Sequence, residues 1–152
     1  MPTRHFEDFP PGEVAEYGDH LVTREEIVAF AAVYDPQPMH LDEAAASRTM
    51  LGGLGASGWN TAALMMRMNV DHMLADSASM GAPGIKELKW LRPVRPGDTL
   101  RVRRTTLAAR PSRSRPDMGL AEFLFELMNQ NGETVMTMQN TILLGRRVAG
   151  AG

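Results

Sequence analysis

Apolar side chains recur at helical spacing early in this chain. Ile27, Phe30, Ala31 and Tyr34 stand at i, i+3, i+4 and i+7, the interval that lines one face of a helix. Thr23-Arg24-Glu25-Glu26 ahead of them has the Thr-x-x-Glu form of a capping box, in which a hydroxyl and a carboxylate satisfy otherwise unpaired backbone N–H groups. The pattern predicts an amphipathic helix over residues 24–33. It ends at the Asp35-Pro36 step, because a proline turns the residue before it away from helical backbone. Asp42-Glu43-Ala44-Ala45-Ala46 reads as a short second helix with His40 just ahead of its start. Residues 51–58 carry glycine at 52, 53, 55 and 58 and read as a loop feeding the longest helix, from Trp59 to about Ala75. Ser57 or Asn60 can cap that helix, Leu64, Met65, Met68 and Met73 give it an apolar side, and no proline interrupts it.

Elsewhere the period is two. Pro10-Pro11-Gly12 is a turn signal, and residues 14–22 follow it as a short strand. From Gly84 onward Leu88, Trp90, Leu100 and Val102 alternate with Lys89, Arg101 and Arg103, with turn residues at Arg92-Pro93 and Arg95-Pro96-Gly97-Asp98. Residues 120–128 alternate Phe123, Phe125 and Leu127 with Glu122 and Glu126; Asn131-Gly132 supplies a hairpin turn and residues 134–144 return as the partner strand. Arg110-Pro-Ser-Arg-Ser-Arg-Pro116 is placed in an exposed hairpin loop. The fold class that follows is α+β, one long buried helix against an antiparallel sheet. A sheet with a bare edge is an aggregation liability, so edge pairing in a homodimer or higher homo-oligomer is expected.

Size and charge narrow the reading without redirecting it. The 152 residues fit a single domain, 1–152 with its core over about 10–146, burying roughly two thirds of the unfolded surface. A net charge of −2 gives no electrostatic reason to expect nucleic acid. The chain has no cysteine, which removes disulfides and thiolate chemistry. Its first residues lack the apolar stretch of a signal peptide, so a cytoplasmic location is expected. The strongest apolar runs, such as residues 27–33, fall far short of the ~20 residues that cross a bilayer, and no membrane association is expected.

The chemistry concentrates in Tyr34-Asp-Pro-Gln-Pro-Met-His40. A carboxylate stands five positions before an imidazole, across two prolines whose φ is fixed near −65°. The result is a short, stiff loop holding two proton-transfer groups at a defined separation. Blander readings exist for both: Asp35 as an Asx-turn residue before Pro36, His40 as a cap-like residue before the second helix. Gly58 stands where a loop becomes a helix. Either it permits tight packing there, or its bare backbone lets a carbonyl approach the unpaired N–H groups of the first helical turn.

Asp35-Pro36-Gln37-Pro38-Met39-His40 resembles the hydratase motif of the MaoC-like acyl dehydratases, Gly-Asp-x-Asn-Pro-hydrophobic-His. The resemblance continues through Leu41-Asp42 and the Ala44 to Ala46 run, Ala56-Ser57-Gly58 at the long helix, and Arg92-Pro-Val-Arg-Pro-Gly-Asp-Thr-Leu100 entering a strand. It implies the hotdog fold, a long central helix wrapped by an antiparallel sheet. It also implies an acyl-CoA hydratase/dehydratase, a hydro-lyase of fatty acid metabolism that adds or removes water across the 2,3 bond of an enoyl/3-hydroxyacyl thioester. Asp35 and His40 would be the acid/base pair, and the backbone at Gly58 would hold the substrate carbonyl, with Ser57, Gln37 and Tyr34 beside the substrate. The chain departs from the motif at Tyr34, where the family has Gly, and at Gln37, one methylene longer than Asn; substrate choice is expected to differ there.

The implied partner is an acyl-CoA or acyl-carrier thioester, with no cofactor besides the coenzyme A thioester itself as substrate. No His/Asp/Glu cluster has metal-ligand spacing, so no metal is expected. Met65, Met66, Met68 and Met73 either line an acyl tunnel or fill a plain core. Arg110, Arg113 and Arg115 either meet coenzyme A phosphates or lie in solvent. Two other functions fit the same fold: an acyl-CoA thioesterase, and a non-catalytic acyl-CoA-binding subunit.

Overall fold

The computed structural model describes residues 1–147; the end of the expected domain span, 148–152, lies outside the described residues. Strand β1 (Val14–Leu21) leads into helix α1 (Arg24–Tyr34), a 3-10 turn (Pro38–His40) and the short helix α2 (Glu43–Ala46). Helix α3 (Gly58–Asn69) follows, and then the strands β2 (Ile85–Trp90), β3 (Thr99–Pro111), β4 (Met118–Met128) and β5 (Thr134–Gly145). The five strands form one sheet in the order β1-β3-β4-β5-β2, every neighbouring pair antiparallel. The sheet packs its inner face on α3.

Local sequence explains the elements that carry the site. The Thr23 hydroxyl accepts from the Glu26 N–H at 3.2 Å, and the Glu26 carboxylate accepts from the Thr23 N–H at 3.0 Å, the expected capping box. Of this helix's apolar stripe Ile27 and Ala31 are fully buried, Phe30 is half-buried and Tyr34 is exposed. In β4 the alternation is complete, with Ala121, Phe123, Phe125 and Leu127 facing the core and Glu122 and Glu126 on the other side. Gly132 closes the β4–β5 hairpin at φ +73°, a left-handed conformation that glycine adopts without steric cost.

Three features differ from the expectations or add to them. The helix expected over 59–75 starts one residue earlier and is α-helical only to Asn69, widening into a π turn over Val70–Leu74. At that junction the Tyr17 hydroxyl donates to Asn69 Oδ1 at 2.7 Å, and the Tyr17 ring stacks on His72 at 5.3 Å, so β1 engages both residues. Burial pushes the Tyr17 phenol up to about 12. Second, β3 turns not only Leu100 and Val102 inward but also Arg104, 3% exposed; its guanidinium pairs with Glu13 and lies 4.9 Å from the centre of the Phe9 ring. Third, β3 continues through Pro111, which shortens the arginine-bearing loop. Met65, Met68 and Met73 are core residues, while Met66 is half exposed. Among the described residues no helix is long and apolar enough to cross a membrane.

Candidate active site

The loop after α1, the glycine-rich loop before α3 and the segment after β2 meet at one cleft. It has a volume of about 420 Å³ and is lined by Asp35, His40, Gly58 and Thr61, with Leu51, Trp59, Trp90, Arg92 and Val94 among its walls. The loops are stitched by backbone bonds: Gly55 N–H donates to the Met39 carbonyl at 3.3 Å, and Ala56 N–H to the Val94 carbonyl at 2.9 Å.

Each member of the pair is held from behind. The Gly55 carbonyl lies 2.7 Å from His40 Nδ1. A carbonyl only accepts, so Nδ1 carries the proton; in the neutral ring Nε2 then bears a lone pair. That Nε2 lies 3.5 Å from Asp35 Oδ2, too far for a good direct hydrogen bond. The Gln37 amide donates to Asp35 Oδ1 at 2.7 Å, and the Ser57 hydroxyl donates to Oδ2 at 2.7 Å. Ser57 also caps α3, its hydroxyl oxygen accepting from Trp59 N–H at 3.3 Å. Both Asp35 oxygens retain accepting capacity toward the cleft.

These bonds lower the Asp35 pKa below the ordinary carboxylate value, the Gln37 amide most and then the Ser57 hydroxyl; burial opposes them, and a charge on His40 adds the smallest lowering effect. A carboxyl whose folded pKa is depressed adds stability above its unfolded pKa of about 4, and loses it as pH falls through the lower folded value. Gln37→Leu is therefore expected to raise the Asp35 midpoint, read by ¹³C NMR of the carboxyl carbon, and Ser57→Ala to raise it less. An unchanged midpoint in Gln37→Leu would contradict this assignment. Ser57→Ala also removes a helix cap, costing about 1 kcal/mol.

The structure thus separates the residues singled out in the sequence. Asp35, His40 and Gly58 line the cleft; exposed Gln37 and buried Ser57 do not, but both donate hydrogen bonds to Asp35. Tyr34 is 73% exposed, packs on Phe30 at 5.1 Å and does not line the cleft. Neither Arg110, Arg113, Arg115 nor the four methionines of the long helix line it either; Arg115 is held by Asp117 at 2.7 Å. Arg92 does line it, and pairs with Glu133 at 2.9 Å.

The walls were missed by sequence reading. Trp90 Nε1–H donates to the Gly58 carbonyl at 2.9 Å, and the Trp90 ring meets Trp59 edge-on at 5.2 Å. These are the only two tryptophans of the chain. The signal was their position: Trp59 directly follows Gly58, and Trp90-Leu91 directly precede the Arg92-Pro93-Val94 turn.

One antiparallel sheet packed on one central helix is the architecture of a hotdog-fold protein. The family model of the MaoC like domain matches residues 8–119, and the chain belongs to that family. A MaoC-like dehydratase from Rhodospirillum rubrum is 40% identical, with a TM-score of 0.85 over 95% of this chain and 98% of that one. The monoamine oxidase regulatory protein from Archaeoglobus fulgidus is 28% identical, with a TM-score of 0.84 over 97% of this chain and 100% of that one. The (R)-hydratase PhaJ1 from Pseudomonas aeruginosa is 25% identical, with a TM-score of 0.73 over 97% of this chain and 93% of that one.

Proposed function

We propose that the protein is a hydro-lyase that adds water to, and removes it from, the 2,3 bond of an enoyl/3-hydroxyacyl thioester of coenzyme A or an acyl carrier. The observation that carries this is the 3.5 Å gap between His40 Nε2 and Asp35 Oδ2, opening into the cleft that Gly58 lines. Two acceptors at that separation suit a water that donates one hydrogen to each.

The chemistry closes on these groups. The water oxygen bonds to C3, its proton passes to the Asp35/His40 pair, and the C2–C3 π electrons move into the thioester as an enolate. The developing oxyanion accepts from the Gly58 N–H, which as the first residue of α3 has no acceptor within the helix, and the helix dipole favours the negative charge. The pair then returns a proton to C2 on the same face, and the enolate reverts to the thioester. The reaction as written uses no cofactor and no metal.

The test is turnover of trans-2-enoyl-CoA, followed as loss of the conjugated-thioester absorbance. Hydration without release of free thiol is the expected result. Thiol release from a saturated acyl-CoA would assign a thioesterase instead, and thermal stabilisation by acyl-CoA without turnover on a broad acyl panel would assign a binding subunit.

The same reading includes a homodimer. β2 is an outer strand whose free edge carries exposed Ile85 and Trp90 beside exposed Leu91, a surface that a second copy can cover by edge pairing. Sedimentation equilibrium is expected to return twice the 16.7 kDa chain mass; a monomer at micromolar concentration would remove this part.

A further inference from the structure

The group that fixes His40 is a carbonyl on a glycine-rich loop, and such a loop has little stiffness of its own. One side chain outside the cleft supplies it. Arg95, in the connection between β2 and β3, donates from Nη1 to the Gly53 carbonyl at 2.6 Å and to the Leu54 carbonyl at 3.2 Å, and from Nη2 to the Leu51 carbonyl. Three loop carbonyls thus converge on one guanidinium, in charge-assisted bonds whose planar fork sets the loop's shape.

The clamp is itself anchored. Arg95 N–H donates to the Asp98 carboxylate at 2.8 Å, and from the other side of the loop the Glu43 carboxylate accepts from Leu54 N–H at 3.2 Å. The loop is pressed close between them: a Cβ on Gly53 would lie 3.2 Å from Glu43 Oε1 and 3.3 Å from Arg95 Nη1. What the clamp holds is functional at both ends. Leu51 is a wall of the cleft, and one residue past Leu54 the Gly55 carbonyl accepts the hydrogen bond from His40 Nδ1–H.

We propose that Arg95 is a positioning residue for the active site: by clamping residues 51–54 it fixes the Gly55 carbonyl, and through it the Nδ1–H tautomer of His40. Its consequence for catalysis rests on the hydratase reading; its effect on the imidazole does not.

The experiment is long-range ¹H–¹⁵N NMR of the histidine rings in the wild type, Arg95→Met and Arg95→Lys, with amide hydrogen exchange of residues 51–55 and enoyl-CoA turnover on the same samples. In the wild type the neutral His40 ring is expected to show a protonated Nδ1 and an unprotonated Nε2. In Arg95→Met the ring is expected to shift toward mixed tautomers, loop exchange to quicken at least tenfold, and kcat to fall by roughly 100-fold, the scale of a small misplacement of a reacting group, with KM changed less. Arg95→Lys, which keeps the charge but not the fork, is expected to fall between the two; it carries the test if Arg95→Met does not fold. An unchanged His40 tautomer with unchanged loop exchange in the folded variants would overturn the proposal. A tautomer shift in a protein that hydrates no thioester would leave the clamp standing and refute the hydratase reading alone.

Discussion

Asp35→Asn and His40→Ala are each expected to lower kcat for enoyl-thioester hydration by about 10²- to 10⁴-fold, the range for loss of a positioned acid or base, while the fold survives. The geometry gives each variant a distinct reason. In Asp35→Asn the residue keeps its shape, and its neighbours can adapt: the Gln37 amide can flip to present its oxygen, and the Ser57 hydroxyl can rotate to accept rather than donate. What is lost is the negative charge and one acceptor in the gap. In His40→Ala the Gly55 carbonyl loses its donor in a site where His40 is only 9% exposed, and water entering the space left by the ring can replace that donor. Because the two groups act on one water, the double variant is expected to be little worse than the slower single one, as for residues that function as a unit. Steady-state kinetics of the three variants, with circular dichroism as the fold control, decides the matter. Wild-type activity in either single variant would remove that residue from the mechanism.

Much of this site was legible because its chemistry is local in sequence. Asp35 and His40 are five residues apart on a proline-stiffened loop, and the period-two alternation of β4 was visible residue by residue. The features that escaped depend on contacts between distant segments. Helix α3 changes its winding at Asn69, where its side chain is held by Tyr17, 52 positions earlier. Arg104 was not singled out in the sequence; strand alternation places it on the same face as Leu100 and Val102, and Phe9 and Glu13 receive it there. Tyr34 and Gln37, the two departures from the family motif, separate through local contacts instead. The chain folds Gln37 back onto Asp35, whereas Tyr34 ends α1 and stays on the surface.

Gly58 is where sequence left two readings open, and a double-mutant cycle distinguishes them. A Cβ at this position would lie 2.5 Å from Trp90 Cε2 and 2.7 Å from Nε1, well inside van der Waals contact, so Gly58→Ala must displace the indole. Trp90 is 46% exposed and has room to swing outward, at the loss of its hydrogen bond to the Gly58 carbonyl and its edge-on contact with Trp59. Those losses amount to about 1 kcal/mol each, offset in part by the better helix propensity of alanine. Gly58→Ala is therefore expected to destabilise the protein by roughly 1–2 kcal/mol, which for a chain of this size lowers Tm by about 2–8 °C. In a Trp90→Leu background the clash is gone, and the same substitution is expected to cost little stability, giving a coupling of about 1 kcal/mol or more. Activity separates from stability in this cycle. If the bare Gly58 backbone also serves the substrate carbonyl, kcat falls in Gly58→Ala whichever residue stands at 90; if glycine is needed only to seat the indole, the Trp90→Leu background rescues kcat together with Tm. Additive stability effects would show that Gly58 and Trp90 are not coupled. The catalytic readout then assigns the oxyanion contact to the N–H of α3 or removes it, because alanine leaves that N–H in place and changes only how closely a carbonyl can approach it.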